Sequence, residues 1–190
     1  WDAYIQQQVD SSARAQQQMQ NLSAEQRANA VAFQEKLMPV IFYFAVPFIG
    51  TSVFYLISSL VLLGIASGIM SAGVKFKQIF CIECYAGLVT VIKFALAIVV
   101  LFLKPPDQFN LQNPLAFNPA AFMDPKTTSK FLYTLGTGLD LFVIWVLILT
   151  VIGLKQAAGR KLSTGGAAAA VIAPYAILLF VGAALAGMFS

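Results

Sequence analysis

The sequence predicts an all-helical, polytopic membrane protein, and three observations carry that reading. Of its 190 residues 59% are hydrophobic and only 11% charged, whereas a soluble domain is roughly half apolar and about a quarter charged. Mean hydropathy is +0.78. The apolar residues gather into four continuous runs, each close to the roughly 20 residues a helix needs to cross a bilayer. These runs are rich in Leu, Ala, Ile and Val and lack the strict alternation of barrel strands.

Residues 1–36 are polar, with nine glutamines and neither proline nor glycine. They predict an extramembrane helical segment. Ser23, followed three residues later by Gln26, has the capping-box pattern and would start a helix at Ala24. The chain begins at Trp1 rather than at a methionine, and its first ten residues are too polar for a signal peptide. From Lys36 to Lys75 the sequence is uncharged, and as one helix this stretch would be about 57 Å long at ~1.5 Å per residue, too long for one upright crossing. Pro39, Pro47 and Gly50 divide it into an approach or interfacial helix over residues 37–47 and a first span over residues 48–71. The second span is expected over residues 81–103. The third covers 131–154 and is apolar except for Asp140, and the fourth covers 167–189, where neighbouring helices can satisfy the carbonyl freed by Pro174. Residues 37–190 thus form one transmembrane domain.

The connection over residues 104–130 contains five prolines, each of which favours extended or turn backbone in the residue before it. Phe109, Leu111, Leu115, Phe117 and Phe122 predict a loop packed on the membrane surface. Asp124 ahead of Pro125 has the form of a helix start, which would begin the third span before the bilayer. The short loops over residues 72–80 and 155–166 carry Lys75, Lys77, Lys155, Arg160 and Lys161 and no acid. Residues 1–36 and 104–130 together hold six basic and six acidic residues. Positive-inside bias places the two short loops in the cytoplasm, and residues 1–36 and 104–130 on the non-cytoplasmic side.

The chemistry available is narrow. There is no histidine, which removes His-based triads, His ligation of metals and haem, and a protonation switch near neutral pH. The net charge of +4 contains no polybasic run, so no nucleic-acid partner is expected. Cys81 and Cys84 share a helix face, but a metal needs two further ligands and haem attachment needs a following histidine. No enzyme activity, metal or cofactor is predicted. Gly64 with Gly68, and Gly182 with Ala186, have the small-xxx-small spacing of helix contacts.

Three ionisable residues fall inside spans. Glu83 lies near the cytoplasmic interface, close to Lys75 and Lys77, and is expected to be solvated. Lys93 and Asp140 lie about 18 and 21 Å from the cytoplasmic ends of their helices at ~1.5 Å per residue, so they can meet. Small neighbours, Ala86, Thr90 and Ala97 around Lys93 and Gly136 and Thr137 around Asp140, permit close approach. The pair is either an ion or proton relay or a mutually neutralising contact that fixes helix order. The second reading is preferred, because a transport route would carry more polar residues along the spans.

The elements WDAYIQQQV, KFKQIF followed by CYAGL, FNLQNPLAFN, AAFMDPKTTSKFLY and LDLFVIWVLILTVIGL resemble, in order and spacing, the bacterial branch of the Yip family, the Ypt/Rab-interacting-protein-like membrane proteins. The resemblance spans nearly the whole chain and implies five membrane helices, one of them upstream of Trp1. The cysteines of CIEC depart from the small residues usual there. Eukaryotic relatives are associated with Rab-type GTPases through a cytoplasmic N-terminal region that this chain does not show, so the resemblance implies architecture rather than that activity. The expected function is that of a non-enzymatic scaffold or accessory subunit of a larger membrane complex, respiratory or photosynthetic in type, or of a protein that organises the membrane. It would sit in the bacterial cytoplasmic membrane, with the bilayer and other membrane subunits as partners, self-association as a further option, and Phe117 and Phe122 as anchors. The alternative is a small ion, proton or solute transporter using Lys93 and Asp140.

Overall fold

The computed structural model describes residues 49–103, 113, 115–124 and 127–188, together with positions 23, 25, 26, 29, 32, 33, 36, 37 and 41. The described residues are helical or irregular, with no strand among them. They fall into two compact units, Trp1–Phe54 and Tyr55–Ser190. In the first unit, positions 25, 26, 29, 32, 33, 36 and 37 are helical. Gln26 N–H donates to Ser23 Oγ at 3.2 Å and Ser23 N–H to Gln26 Oε1 at 3.0 Å. This reciprocal pair satisfies two backbone donors that a helix start leaves open. The expected interfacial helix over residues 37–47, with Pro39 and Pro47, lies almost wholly outside the described residues, as do Phe109, Leu111 and Pro125.

Helix α1 (Thr51–Leu63) runs straight on into a π-helical turn, Gly64–Ile69. Ser67 in that turn accepts from Val74 N–H at 2.9 Å and donates to Val74 O at 2.8 Å, pinning the reversal at residues 70–75. Gly73 sits there at φ 68°, a backbone region that glycine enters without steric cost. A Cβ on it would also lie 2.9 Å from Lys161 Nζ, so the two short basic loops meet at one end of the bundle. Helix α2 (Phe76–Gly87) begins where the Gln78 side chain accepts from Lys75 N–H at 2.9 Å. Only Leu88 separates α2 from α3 (Val89–Leu103), and backbone bonds from Leu88 to Tyr85 and from Val91 to Leu88 carry the helix across it. The combined helix therefore starts at residue 76, five residues before the expected boundary of the second span.

The third span departs from the single helix expected over residues 131–154. It is two helices, α4 (Lys130–Gly138) and α5 (Leu141–Ala158), with the break at Leu139 and Asp140. Asp124 does not cap α4. Its carbonyl accepts from Thr127 and Thr128 N–H in a preceding turn, and the cap is Ser129, whose hydroxyl accepts from Leu132 N–H. The last helix, α6, is Thr164–Met188 and contains Pro174.

Among the described residues four stretches are long and apolar enough to cross a membrane, Thr51–Ile69, Phe76–Leu103, Leu141–Lys161 and Thr164–Met188. Helix α5 packs against α2, α3 and α6, while α6 also packs against α4 and the π-turn. At the end with the basic loops, Leu62, Ala66, Val74, Ile79, Leu154 and Ala170 belong to one buried cluster. A second cluster joins Val89, Phe142 and Leu115, so the proline-rich connection packs inward against helices as well as covering their ends.

The glycine spacing did not identify the packed faces. A Cβ on Gly64, Gly68 or Gly182 meets nothing within 4 Å, whereas one on Gly136 lies 3.0 Å from Ala120 N. Close packing elsewhere rests on isolated glycines: Gly87 against the Tyr55 phenol, Gly138 against Leu179 and Gly153 against Ile82. Gly136→Val should therefore cost roughly 1–3 kcal/mol by overpacking, while Gly182→Val should be near neutral. Thermal unfolding of the two variants in mild detergent checks the difference.

Candidate functional site

The site is built at the break between α4 and α5. In an unbroken helix Phe142 N–H would donate to the carbonyl four residues back, that of Gly138. Here that bond is divided between two side chains. Phe142 N–H donates to Asp140 Oδ1 at 2.9 Å, and the Gly138 carbonyl accepts from the Tyr175 hydroxyl of α6 at 2.5 Å. The next donor, Leu141 N–H, goes to the Phe117 carbonyl at 3.0 Å. Irregular backbone at membrane depth persists only when its polar groups are satisfied in this way.

Asp140 then uses its second oxygen for charge. Lys93 Nζ of α3 donates to Asp140 Oδ2 at 3.1 Å, with the aspartate side chain 3% exposed and the lysine 29%. Asp140 is thus the cap of α5 as well as an ion-pair partner, where the unbroken-helix expectation placed it on a helix face. The positive end of the α5 dipole adds to the attraction of Lys93 for the carboxylate. Such a pair offsets the cost of two buried charges only when its geometry is good and its remaining valences are used. Here one oxygen serves the backbone and the other the ammonium.

Residues 113 and 115–122 of the connection meet the site through the Phe117 carbonyl. Asn113 and Asn118 exchange amide bonds of 3.1 and 2.7 Å, and the buried Asn118 holds the turn that enters the short helix Pro119–Phe122. Phe117 stacks edge-on against Phe142, with centroids 5.8 Å apart. Phe117 is half-exposed and Phe122 is 92% exposed. Phe131 of α4 meets Phe180 of α6 edge-on at 5.7 Å. Among the described residues, no buried side-chain nitrogen or oxygen lacks a hydrogen-bond partner.

Glu83 is the principal departure from expectation. It is 7% exposed, and its two carboxyl oxygens each accept a hydroxyl at 2.7 Å, Oε1 from Ser58 and Oε2 from Ser59 of α1. Burial against α1 removes it from the solvent near Lys75 and Lys77. Sequence reasoning missed Ser58, Ser59, Tyr175, Asn113 and Asn118. The only signal was a serine doublet in an apolar run, which acquires meaning once α1 is known to face Glu83. Cys81 is exposed and Cys84 half-buried, both as free thiols, and no group of three or more metal-ligating side chains occurs among the described residues.

The four membrane-long helices among the described residues, packed around satisfied intramembrane polar contacts, define an integral, multi-pass helical membrane protein. The Yip1 domain model matches residues 11–185, and the chain belongs to that family. No curated protein and no solved structure matches it.

If the Lys93–Asp140 contact is structural, Lys93→Met should destabilise by on the order of 3 kcal/mol, because it leaves a buried carboxylate unpaired. Adding Asp140→Asn, which keeps an oxygen for Phe142 N–H, should recover most of that loss. Unfolding of the single and double variants in detergent measures the coupling.

Proposed function

We propose that the chain is a non-enzymatic scaffold or accessory subunit in a bacterial cytoplasmic membrane, holding other membrane proteins or organising the bilayer around it. The observation that carries this reading is the closed ion pair. Lys93 and Asp140 are committed to each other and to the start of α5, which fixes the order of α3 and α5. Family membership is consistent with the same class of function, since the Yip1 domain covers residues 11–185 of a chain built from membrane helices. The partner-facing surface in this reading is the proline-rich connection, whose Phe117 and Phe122 offer aromatic area outside the bundle. Aromatic residues of this kind often dominate contact energy at an interface.

Orientation follows from the basic loops, with residues 1–36 and 104–130 on the non-cytoplasmic side. One specific observation favours a transporter as the second reading. Discontinuous helices with a charged residue at the break are the form in which many carriers build their midplane sites. The readings separate in reconstituted vesicles: a carrier loses flux in Lys93→Ala while remaining folded, and a scaffold shows no flux to lose.

Gentle detergent extraction from native membranes, followed by sizing and mass spectrometry, should give a particle containing further membrane subunits. A monodisperse particle holding only this chain would argue against the scaffold. For orientation, with Cys81 and Cys84 replaced, Phe122→Cys should react with an impermeant thiol reagent outside intact cells and Ser163→Cys should not. Labelling of the Ser163 position alone would invert the topology.

A further inference from the structure

We propose that Glu83, held between Ser58 and Ser59, is an intramembrane proton-binding site and carries its proton in the resting protein. The argument begins with location. Glu83 is the eighth residue of the membrane-long helix Phe76–Leu103, about 10 Å in from its start at ~1.5 Å per residue, and it is buried against α1.

The groups around it are neutral. From α1 it meets Ser58 and Ser59, with the Tyr55 phenol in its vicinity. Its own helix brings the thiol of Cys84. Helix α5 has no ionisable side chain before Lys155, and α6 has only Tyr175, which is bonded to Gly138. Lys75 and Lys77 are exposed at the start of α2, and Lys93 lies ten residues further on and is bound to Asp140. Among the described residues no cation lies within ion-pair distance of Glu83. The two serine hydroxyls offset part of the cost of a buried carboxylate there, no ammonium offsets the rest, and uptake of a proton removes the charge.

The oxygen geometry selects a proton over a metal ion. Each carboxyl oxygen is 2.7 Å from a serine oxygen, the separation of a direct O–H···O bond. The site is therefore closed by hydrogen bonds. A protonated acid fits the same two distances once one serine turns its hydroxyl to accept from the acid while the other continues to donate.

The site also opens onto a polar stripe. Glu83, Gly87, Thr90 and Lys93 recur at helical spacing on one face of α2 and α3. The Thr90 hydroxyl donates to the Gly87 carbonyl at 2.6 Å, and the Tyr55 phenol is hydrogen-bonded to Thr90. Gly87 has no Cβ, and the phenol occupies the space one would fill. The spans are therefore more polar along this face than their composition indicates, and hydroxyls extend the site toward Lys93.

The test uses the intact protein in mild detergent at neutral pH. Dicyclohexylcarbodiimide is an apolar reagent that reacts with protonated carboxyl groups, and peptide mass spectrometry should find its acylurea on Glu83 at about tenfold the level on Asp140, which is ion-paired to Lys93. Infrared spectra should show a carboxylic C=O stretch in the wild type that shifts in D2O and is missing from Glu83→Gln. Absence of both the adduct and the stretch would overturn the proposal. Protection of Glu83 by sodium ions, in place of sodium-independent labelling, would also overturn it and make the site a metal-ion site. Should Glu83→Gln fail to fold, Ser58→Ala and Ser59→Ala supply the comparison, since each removes one hydroxyl and should shift the stretch without abolishing it.

Discussion

One backbone hydrogen bond that is not made governs the structure. The Gly138 carbonyl and Phe142 N–H are helical partners by sequence position, yet each is satisfied by a side chain instead, Tyr175 and Asp140 respectively. In hydrocarbon neither group can be left to water, and each unsatisfied one costs several kcal/mol. The break therefore persists only while α6 supplies a phenol, the aspartate supplies an oxygen and the proline-rich connection supplies the Phe117 carbonyl to Leu141. Lys93 follows from the same constraint, because the aspartate brought to the break needs a counter-charge. Helices α3, α4, α5 and α6 and the connection thus converge on a few atoms, and their mutual order is fixed there.

Two carboxyl groups of the bundle, one on α2 and one at the start of α5, meet different surroundings. Asp140 meets an ammonium and the first turn of a helix. Glu83 meets hydroxyls, which suit either form but provide no compensating charge. A membrane protein with little polar material can accommodate an acid by pairing it or by surrounding it with neutral hydrogen-bonding groups, and this chain does both within ten residues of one helix.

Much of the architecture is legible in the sequence because it depends on sums. Hydropathy over twenty residues is insensitive to the fate of any one of them, so the four spans emerge from composition alone. The Ser23 and Gln26 capping box is local and equally legible. The depths of Lys93 and Asp140 along their helices place them at one level. What could not be read is the break itself, for nothing between Phe131 and Leu154 forbids a continuous helix, and the groups that open it, Phe117 and Tyr175, lie far away in the chain. The same holds for Glu83, whose burial depends on which face of α1 it meets. Small-xxx-small spacing misled at Gly64, Gly68 and Gly182 because spacing identifies a stripe without saying whether another helix lies against it. The packed glycines, Gly87, Gly138 and Gly153, each receive one large side chain and leave no periodic trace.

The division of that bond also has a direction along the chain. Tyr175 lies 37 residues after Gly138, so the carbonyl freed at the break depends on a helix that follows it in the chain. Without α6 the third span has no phenol for Gly138, and a continuous helix, with Gly138 bonded to Phe142, would cost less than a broken one. The shape of one span is thus set by a residue of the next.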